Sequence, residues 1–260
     1  MEKIVSRDNK KIKLLKKLRT KKYRNKFGKF LVENIAIIYD GLNCGYKLET
    51  LFITQEVLDS GCNKIRSIVE NVGLENIFII SRDVNKYFSS LETPSGIVAI
   101  YNKSEERELN FGERILYLNE IKDPGNLGTI LRSAVAFGVG EIVLDEECVD
   151  LYNPKVIQSA KDAIFKTNVV FDKGGKILRE IKDKMKVFVT DVDGGIEVGG
   201  AFEKDDNFCV VLGSESHGVS ENVKNIADEV INIKSSSEME SLNVAVSTGI
   251  ILYEMYNNKA

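Results

Sequence analysis

Two successive α/β domains are predicted for this chain, and three observations predict them. Strand-like apolar runs alternate with segments of helical spacing along most of the 260 residues, and beyond residue 113 the alternation is that of a mostly parallel sheet covered on both faces. The alternation breaks at residues 102–113 (NKSEERELNFGE), a charged stretch nearly free of apolar side chains that suits a linker. Charge is also divided. Residues 1–30 hold 13 Lys/Arg against 2 acids, a net +11, so the other 230 residues sum to −14 within an overall −3. The expected organisation is a first domain at 1–101, a linker at 102–112 and a second domain at 113–260.

In the first domain, Asp8 and Asn9 are placed to cap a helix in which Ile12, Leu15 and Leu18, with Leu14 beside them, form one apolar stripe. Lys10, Lys13, Lys16 and Lys17 then fall largely outside. Short apolar runs follow at 51–53, 77–80 and 97–100, separated by segments with helical spacing such as Ile65 to Val72. Beyond the linker, strand-like runs recur at 114–118, 141–144, 168–171, 186–190, 208–212 and 229–233. The last segment, Leu242 to Tyr256, is apolar on nearly all sides and carries the small residues Ala245, Ser247 and Gly249. Such a helix is expected in the core or against a second subunit.

Composition removes several function classes. With 43% hydrophobic residues and 3 prolines the chain can bury sizeable cores, so disorder and collagen-like structure are excluded. No run approaches the roughly 20 apolar residues of a membrane span, and Met1 to Leu18 is too rich in lysine for a signal peptide, so a cytoplasmic protein is expected. Cys44, Cys62, Cys148 and Cys209 lie far apart and are expected to be free thiols. His217 is the only histidine, which disfavours a zinc site or a Ser-His-Asp triad, and no metal is expected. Gly138-Val139-Gly140 lacks the third glycine of a dinucleotide fingerprint, so a nicotinamide-dependent oxidoreductase is unsupported. The basic terminus points instead to a polyanion, with RNA as the leading partner and Lys10, Lys13, Lys16, Lys17, Lys21, Lys22 and Arg24 as contacts. A solvated basic helix or a transit peptide is the competing explanation of the same charges.

Three loops, each after a strand, carry the candidate chemistry. In Asn119 to Ala134 (NEIKDPGNLGTILRSA), Asp123-Pro124-Gly125-Asn126 is strong turn sequence, and helical spacing from Leu127 places Arg132 on the second turn of a helix at the sheet's carboxyl edge. A guanidinium there suits a phosphate, although a surface ion pair for Arg132 and a capping role for Asn126 fit the same residues. In Val210 to Ser220 (VVLGSESHGVS), Gly213 follows a buried strand and lets a flat ligand or another backbone come close, with Glu215 beside it. In Ile231 to Gly249 (INIKSSSEMESLNVAVSTG), either Ser241 or Asn243 is placed to cap the last helix.

Together these loops resemble the SpoU/TrmH branch of the SPOUT methyltransferases. Asn119-x-x-x-Asp123-Pro124-x-Asn126-x-Gly128-x-Ile130-x-Arg132-Ser133-Ala134 matches the family's first motif. Leu212-Gly213-x-Glu215-x-x-Gly218-x-Ser220 matches the second, and Glu240-Ser241-Leu242-Asn243-Val244-x-Val246 with Gly249 the third. Asn9, Lys13, Leu18, Arg24, Gly28 and Phe30-Leu31-Val32-Glu33 resemble the substrate-binding domain that often precedes this catalytic domain, a small ribosomal-protein-L30e-like α/β fold. The resemblance implies a C-terminal SPOUT domain with a parallel sheet and a deep trefoil knot, a rare exception to the rule that chains do not thread their own loops. It implies a homodimer, S-adenosylmethionine as methyl donor held around Gly213, Ile233 and Leu242 with Thr190 close by, and a catalytic pocket of Asn126, Arg132, Glu215, Ser241 and Asn243. The sequence departs from many relatives at Ile233-Lys234-Ser235-Ser236-Ser237, where they carry Ile-Pro-Met-x-Gly.

The implied reaction is 2′-O-methylation of a ribose in structured RNA, with 23S ribosomal RNA preferred. Transfer RNA methylation and non-catalytic RNA binding are the alternatives. Methyl transfer to a hydroxyl is an in-line displacement, so positioning supplies much of the rate. Arginine is a poor base, so the preferred role of Arg132 is to hold the neighbouring phosphate and orient the hydroxyl, with direct proton acceptance as the rival role.

Overall fold

The computed structural model describes residues 1–103, 108–203, 206–214, 216–236 and 241–257. It divides into two compact units, Met1–Glu105 with Asp150–Phe165, and Glu106–Val149 with Lys166–Ala260. The segment Asp150–Phe165 therefore belongs with the first unit, although the sequence places it among the strands of the second.

The first unit is built on a mixed sheet of five strands: β1 (Glu2–Ile4), β2 (Lys29–Val32), β3 (Leu48–Thr54), β4 (Ile77–Ile80) and β5 (Ile97–Asn102), in the order β1-β4-β3-β5-β2. β1, β4 and β3 run parallel, and β5 is antiparallel to both β3 and β2. The three predicted apolar runs form β3, β4 and β5. β1 is an edge strand with only Ile4 buried, so its conformation depends on pairing with β4 rather than on an apolar pattern of its own.

The basic helix spans Lys10–Leu18 and buries Ile12, Leu15 and Leu18 in a core with Phe52, Phe78 and Val98. Asn9 caps it, its side-chain oxygen accepting from Lys11 N at 2.8 Å, while Asp8 pairs with Lys13 at 2.9 Å. Lys10, Lys13, Lys16, Lys17, Lys21 and Lys22 are exposed. Arg24 is not among them. The short helix Lys21–Phe27 turns it inward, where it is 3% exposed and bonded to Asp150 Oδ2 through Nε at 2.8 Å and Nη2 at 2.5 Å, with Nη1 donating to Leu18 O at 3.0 Å. The expectation that Arg24 contacts RNA is corrected accordingly: its donors are committed to a buried carboxylate and a carbonyl.

The second unit is a parallel sheet of seven strands: β6 (Ile115–Leu118), β7 (Glu141–Asp145), β8 (Asn168–Asp172), β9 (Lys186–Thr190), β10 (Ile196–Glu197), β11 (Phe208–Leu212) and β12 (Glu229–Asn232). The order is β10-β12-β9-β11-β6-β7-β8 and every pairing is parallel. β6 and β11 are buried along their whole length, as continuous apolar runs in covered parallel sheets must be. From β6 the chain first adds β7 and β8 on one side and later fills the other, so the strand order reverses beside β6. Crevices for ligands form at the carboxyl ends of strands at such a point.

The end of the expected linker is not free of structure: Leu109 and Phe111 pack on the second core, and Lys184 Nζ lies 3.8 Å from the centre of the Phe111 ring. Among the described residues no helix is long and apolar enough to cross a membrane.

Because Arg24 and Asp150 share a buried site, removing one charge strands the other. Asp150→Asn should lower stability of the chain by about 3–5 kcal/mol in urea unfolding, and the double variant Arg24→Leu, Asp150→Leu should recover most of that loss. A cost below about 1 kcal/mol for Asp150→Asn would show that the pair is not structurally important.

Candidate active site

The first motif begins where β6 ends. Asn119 is buried; its N–H donates to Leu212 O at 2.8 Å, its Nδ2 donates to Asp145 Oδ2 at 2.7 Å, and its Oδ1 accepts from Ser220 N at 2.7 Å. Asp145, at the end of β7, also accepts from Glu120 N at 2.9 Å and Cys148 N at 2.9 Å. One carboxamide and one carboxylate thus join the loops after β6, β7 and β11. Asp145 was not singled out from the sequence, where nothing distinguishes it from other acids beyond its place at a strand end.

Asp123 caps the next helix, accepting from Asn126 N at 2.9 Å, with Pro124 in the first turn. This helix spans Pro124–Ala136, so it starts before the predicted Leu127 and places Arg132 on its third turn rather than its second. Arg132 is exposed and has no hydrogen-bond or ion-pair partner among the described residues. The last helix, Val244–Asn257, is capped by Asn243, whose Oδ1 accepts from Ala245 N at 3.0 Å. Asn243 Nδ2 donates to Asn126 Oδ1 at 3.1 Å, so the structure brings two candidate residues of the first and third motifs into direct contact. Ser241, the other capping candidate, leaves that role to Asn243. Glu215, Ser237 and Glu240 lie outside the described residues.

A cavity of about 360 Å³ opens beside these motifs at the carboxyl ends of β9, β11 and β12. Thr190, Gly213, Ile233 and Leu242, the four expected donor contacts, all line it, and so does Ser241. Thr190 Oγ1 is held by Val211 O at 3.1 Å. The glycine at 213 answers to backbone rather than to ligand. A Cβ there would stand 2.1 Å from Gly218 C and 2.2 Å from Val219 N, because Ser214 and Gly218 bond to each other in a tight reverse loop. Of the two uses of this glycine open from sequence, approach of a second backbone is the one the structure displays.

Polar residues not foreseen complete the cavity. Ser214 Oγ is buried without a partner and Asp191 pairs with Lys224 at 2.5 Å. Burial alone would raise the Asp191 carboxyl, but the Lys224 hydrogen bond and the N–H groups of Asp193 and Val192 hold it below the usual carboxylate range. Asp191 directly follows a strand at the carboxyl edge, which was the available signal.

Apolar walls, a sealed hydroxyl and an ionised carboxylate at the ends of parallel strands define an α/β protein that takes a small, partly polar ligand in the crevice beyond its sheet. Comparison with known proteins narrows this class. Residues 113–253 match the SpoU rRNA Methylase family and residues 9–99 the MRM3-like substrate binding domain. The chain is 30% identical over 256 residues to the 23S rRNA (guanosine(2553)-2′-O)-methyltransferase RlmP of Bacillus subtilis (strain 168), covering 98% of this chain and 99% of that protein. A crystal structure of an RNA 2′-O ribose methyltransferase superposes with a TM-score of 0.82 at 26% identity, covering 98% of each chain. The fold is shared as well with the AdoMet-bound rRNA methyltransferase from Sinorhizobium meliloti, at a TM-score of 0.85 and 23% identity over 98% of this chain and 97% of that one. The chain belongs to the SpoU rRNA Methylase family. Its activity is that of an RNA 2′-O-ribose methyltransferase.

The contrast between two glycines tests the reverse loop. Gly218 adopts φ +66 with open space around its missing Cβ, so Gly218→Ala should cost about 1 kcal/mol through backbone strain alone. Gly213→Ala forces a backbone to move and should cost at least about 2–3 kcal/mol in urea unfolding. Equal costs at the two positions would contradict the close approach.

Proposed function

We propose that this protein methylates the 2′-hydroxyl of a nucleotide in 23S ribosomal RNA, using S-adenosylmethionine, as a cytoplasmic homodimer. In this reading residues 1–101 recognise RNA, 102–112 join the domains and 113–260 carry the chemistry, with the donor held in the trefoil knot of the family. What carries the reading is the meeting of Thr190, Gly213, Ile233, Leu242 and Ser241 around one cavity, next to the contact between Asn126 and Asn243. The cavity suits the donor by its own chemistry: Ser214 Oγ lacks a partner that a polar ligand atom would supply, and apolar walls accompany an ionised Asp191 able to accept from ribose hydroxyls. The switch to Lys234-Ser235 in the third motif leaves Ile233 and Ser235 in the lining. When bound, S-adenosylmethionine supplies an activated methyl group on a sulfonium.

The chain's own residues then orient the acceptor. Arg132 offers a planar fork of N–H donors to the phosphate beside the target ribose, and it is available for this because no acidic partner among the described residues claims it. Fixing that phosphate limits the rotation of the attached ribose and holds its hydroxyl in line for attack, which converts binding into rate. Asn126 and Asn243 hold two helix starts in register, and with them the base of the Arg132 helix and the rim of the cavity. Glu215 is assigned to the same pocket from its motif position.

The dimer reading is supported by the last helix. Its inner face buries Val244, Ile251, Leu252 and Met255, while Val246 and Tyr253 are each 52% exposed, with Tyr253 and Tyr256 flanking the ring of Phe137. Exposed apolar surface of this kind on one face marks an interaction site.

The ribosomal assignment is tested by mapping 2′-O-methyl groups in total RNA from cells with and without the protein. One 23S position should lose its methyl group in the deleted strain and regain it on complementation; loss only in transfer RNA would overturn the assignment. For Arg132, single-turnover transfer is the measurement. Arg132→Ala should fall by at least about a hundredfold with donor affinity and unfolding temperature unchanged, and Arg132→Lys should recover only a small part because it lacks the fork. Near-normal transfer by Arg132→Ala would remove the phosphate clamp from the mechanism.

A further inference from the structure

The first unit contains a cavity of its own, about 350 Å³ in volume, at the carboxyl end of β3. Its walls come from Thr54 and the short helix Gln55–Asp59 that follows β3, from the helix Arg82–Phe88 and from residues 94–96 before β5. Two of its polar atoms are anomalous. Thr54 Oγ1 and Asn85 Oδ1 are sealed from solvent and have no hydrogen-bond partner, in residues that are each only 3% exposed. An unpaired buried polar atom costs about 1–3 kcal/mol, and apolar residues of the same shape would avoid that cost at both positions. Asn85 lies between Val84 and Phe88, which face the core on the same helix, so nothing in the packing calls for a carboxamide there. Persistent orphans of this kind point to a partner that arrives from outside.

The surroundings indicate what arrives. A hydroxyl and a carboxamide in one cavity present both donor and acceptor capacity without charge, the complement of a nucleobase edge. The cationic groups stand at the rim: Arg82 is exposed and donates from Nε to Glu56 Oε2 at 2.7 Å, and Lys86 is exposed with no partner among the described residues. A bare anion would be held by buried charge, whereas here charge is outside, Glu56 is part of the lining and the interior is neutral. Gly96 adds no side chain to the wall beside the hydroxyl. At φ +76 it excludes ordinary side chains, and a Cβ there would stand 2.5 Å from Val57 Cγ2 and 3.0 Å from Thr54 Oγ1. The basic helix packs on the same element, with Lys16 Nζ 4.0 Å from the centre of the Tyr87 ring, two residues from Asn85.

We propose that this cavity receives one unstacked nucleotide of the RNA substrate, its base against Thr54 and Asn85 and its phosphate at Arg82 and Lys86. Sequence-specific reading of RNA relies on bases splayed out of the stack and bonded along their edges, which a neutral polar cavity with a cationic rim provides. The inference rests on the reading that residues 1–101 recognise RNA.

The test uses the full chain, protein-free 23S rRNA transcript and free nucleoside monophosphates. Thr54→Val and Asn85→Leu keep the side-chain shape while removing the orphaned atoms, so both should retain or raise the unfolding temperature, yet each should weaken transcript binding by about tenfold. Donor affinity should not change. A variant with Lys10, Lys13, Lys16 and Lys17 all replaced by Ala separates the two levels of the argument. If it binds RNA poorly while Thr54→Val and Asn85→Leu bind normally, the cavity inference is overturned and the RNA-recognition reading stands; if all three bind normally, both fall. In the monophosphate titrations, preference for one base that disappears in Asn85→Leu supports the proposal. Inorganic phosphate binding as well as every nucleotide, and lost only in Arg82→Ala, would make the cavity a plain anion site and overturn it.

Discussion

The second unit depends on a single buried carboxamide. Asn119 follows β6 at the place where strand order reverses, and its two polar atoms reach in opposite directions, to Asp145 after β7 and to the backbone of Ser220 after β11. A parallel sheet leaves each of its connecting loops to find its own place, since no hairpin ties neighbouring strands together. At this edge the ties are part-buried side-chain hydrogen bonds from a buried carboxamide, so losing one partner leaves a buried polar atom of Asn119 unsatisfied. The cavity beyond β9, β11 and β12 can keep one shape because the loop that forms its wall is held at Ser220 as well as by its own Ser214–Gly218 bonds.

A second device of the same kind links the helices. Asn126 and Asn243 belong to segments that begin two helices packed against each other, and each helix start must dispose of free N–H groups. Asp123 and Asn243 do so as caps, and the contact between Asn126 and Asn243 aligns the two starts. Residues that read as catalytic in the motifs thus act at least partly as carpentry for their own elements. Arg132 stands apart from them, exposed on the third turn and available to a substrate.

Positive charge in the first unit has two separate fates. The six exposed lysines at 10, 13, 16, 17, 21 and 22 lie on helix surfaces, and two of them set their ammonium groups over aromatic rings, Lys16 over Tyr87 and Lys17 over Tyr23. Arg24 instead sits inside, where a planar guanidinium can satisfy one carboxylate and one carbonyl at once. Linear charge density does not separate these cases, because an arginine two and three residues from exposed lysines looks the same in sequence whichever way its helix is rotated.

Local pattern was enough for the elements that bury one continuous run. β3, β4 and β5 and most strands of the parallel sheet were legible as apolar segments, the first and last helices as periodic ones, and Asn9 and Asn243 as caps, because burial and capping act on residues close together in the chain. The four positions that the family resemblance implied as donor contacts share a cavity because Thr190 ends β9, Gly213 and Ile233 directly follow β11 and β12, and Leu242 leads into the last helix. Tertiary structure alone decided the rest. β1 and β10 exist through pairing, Asp150–Phe165 joins the first unit, Arg24 turns inward, Gly213 yields to a crossing backbone, and Asp145, Asp191, Thr54 and Asn85 gain meaning from neighbours distant in sequence. The reason is one of range: periodicity reports which face of an element is apolar, whereas a hydrogen bond or a steric limit between distant segments is a property of their relative placement, which no local window contains.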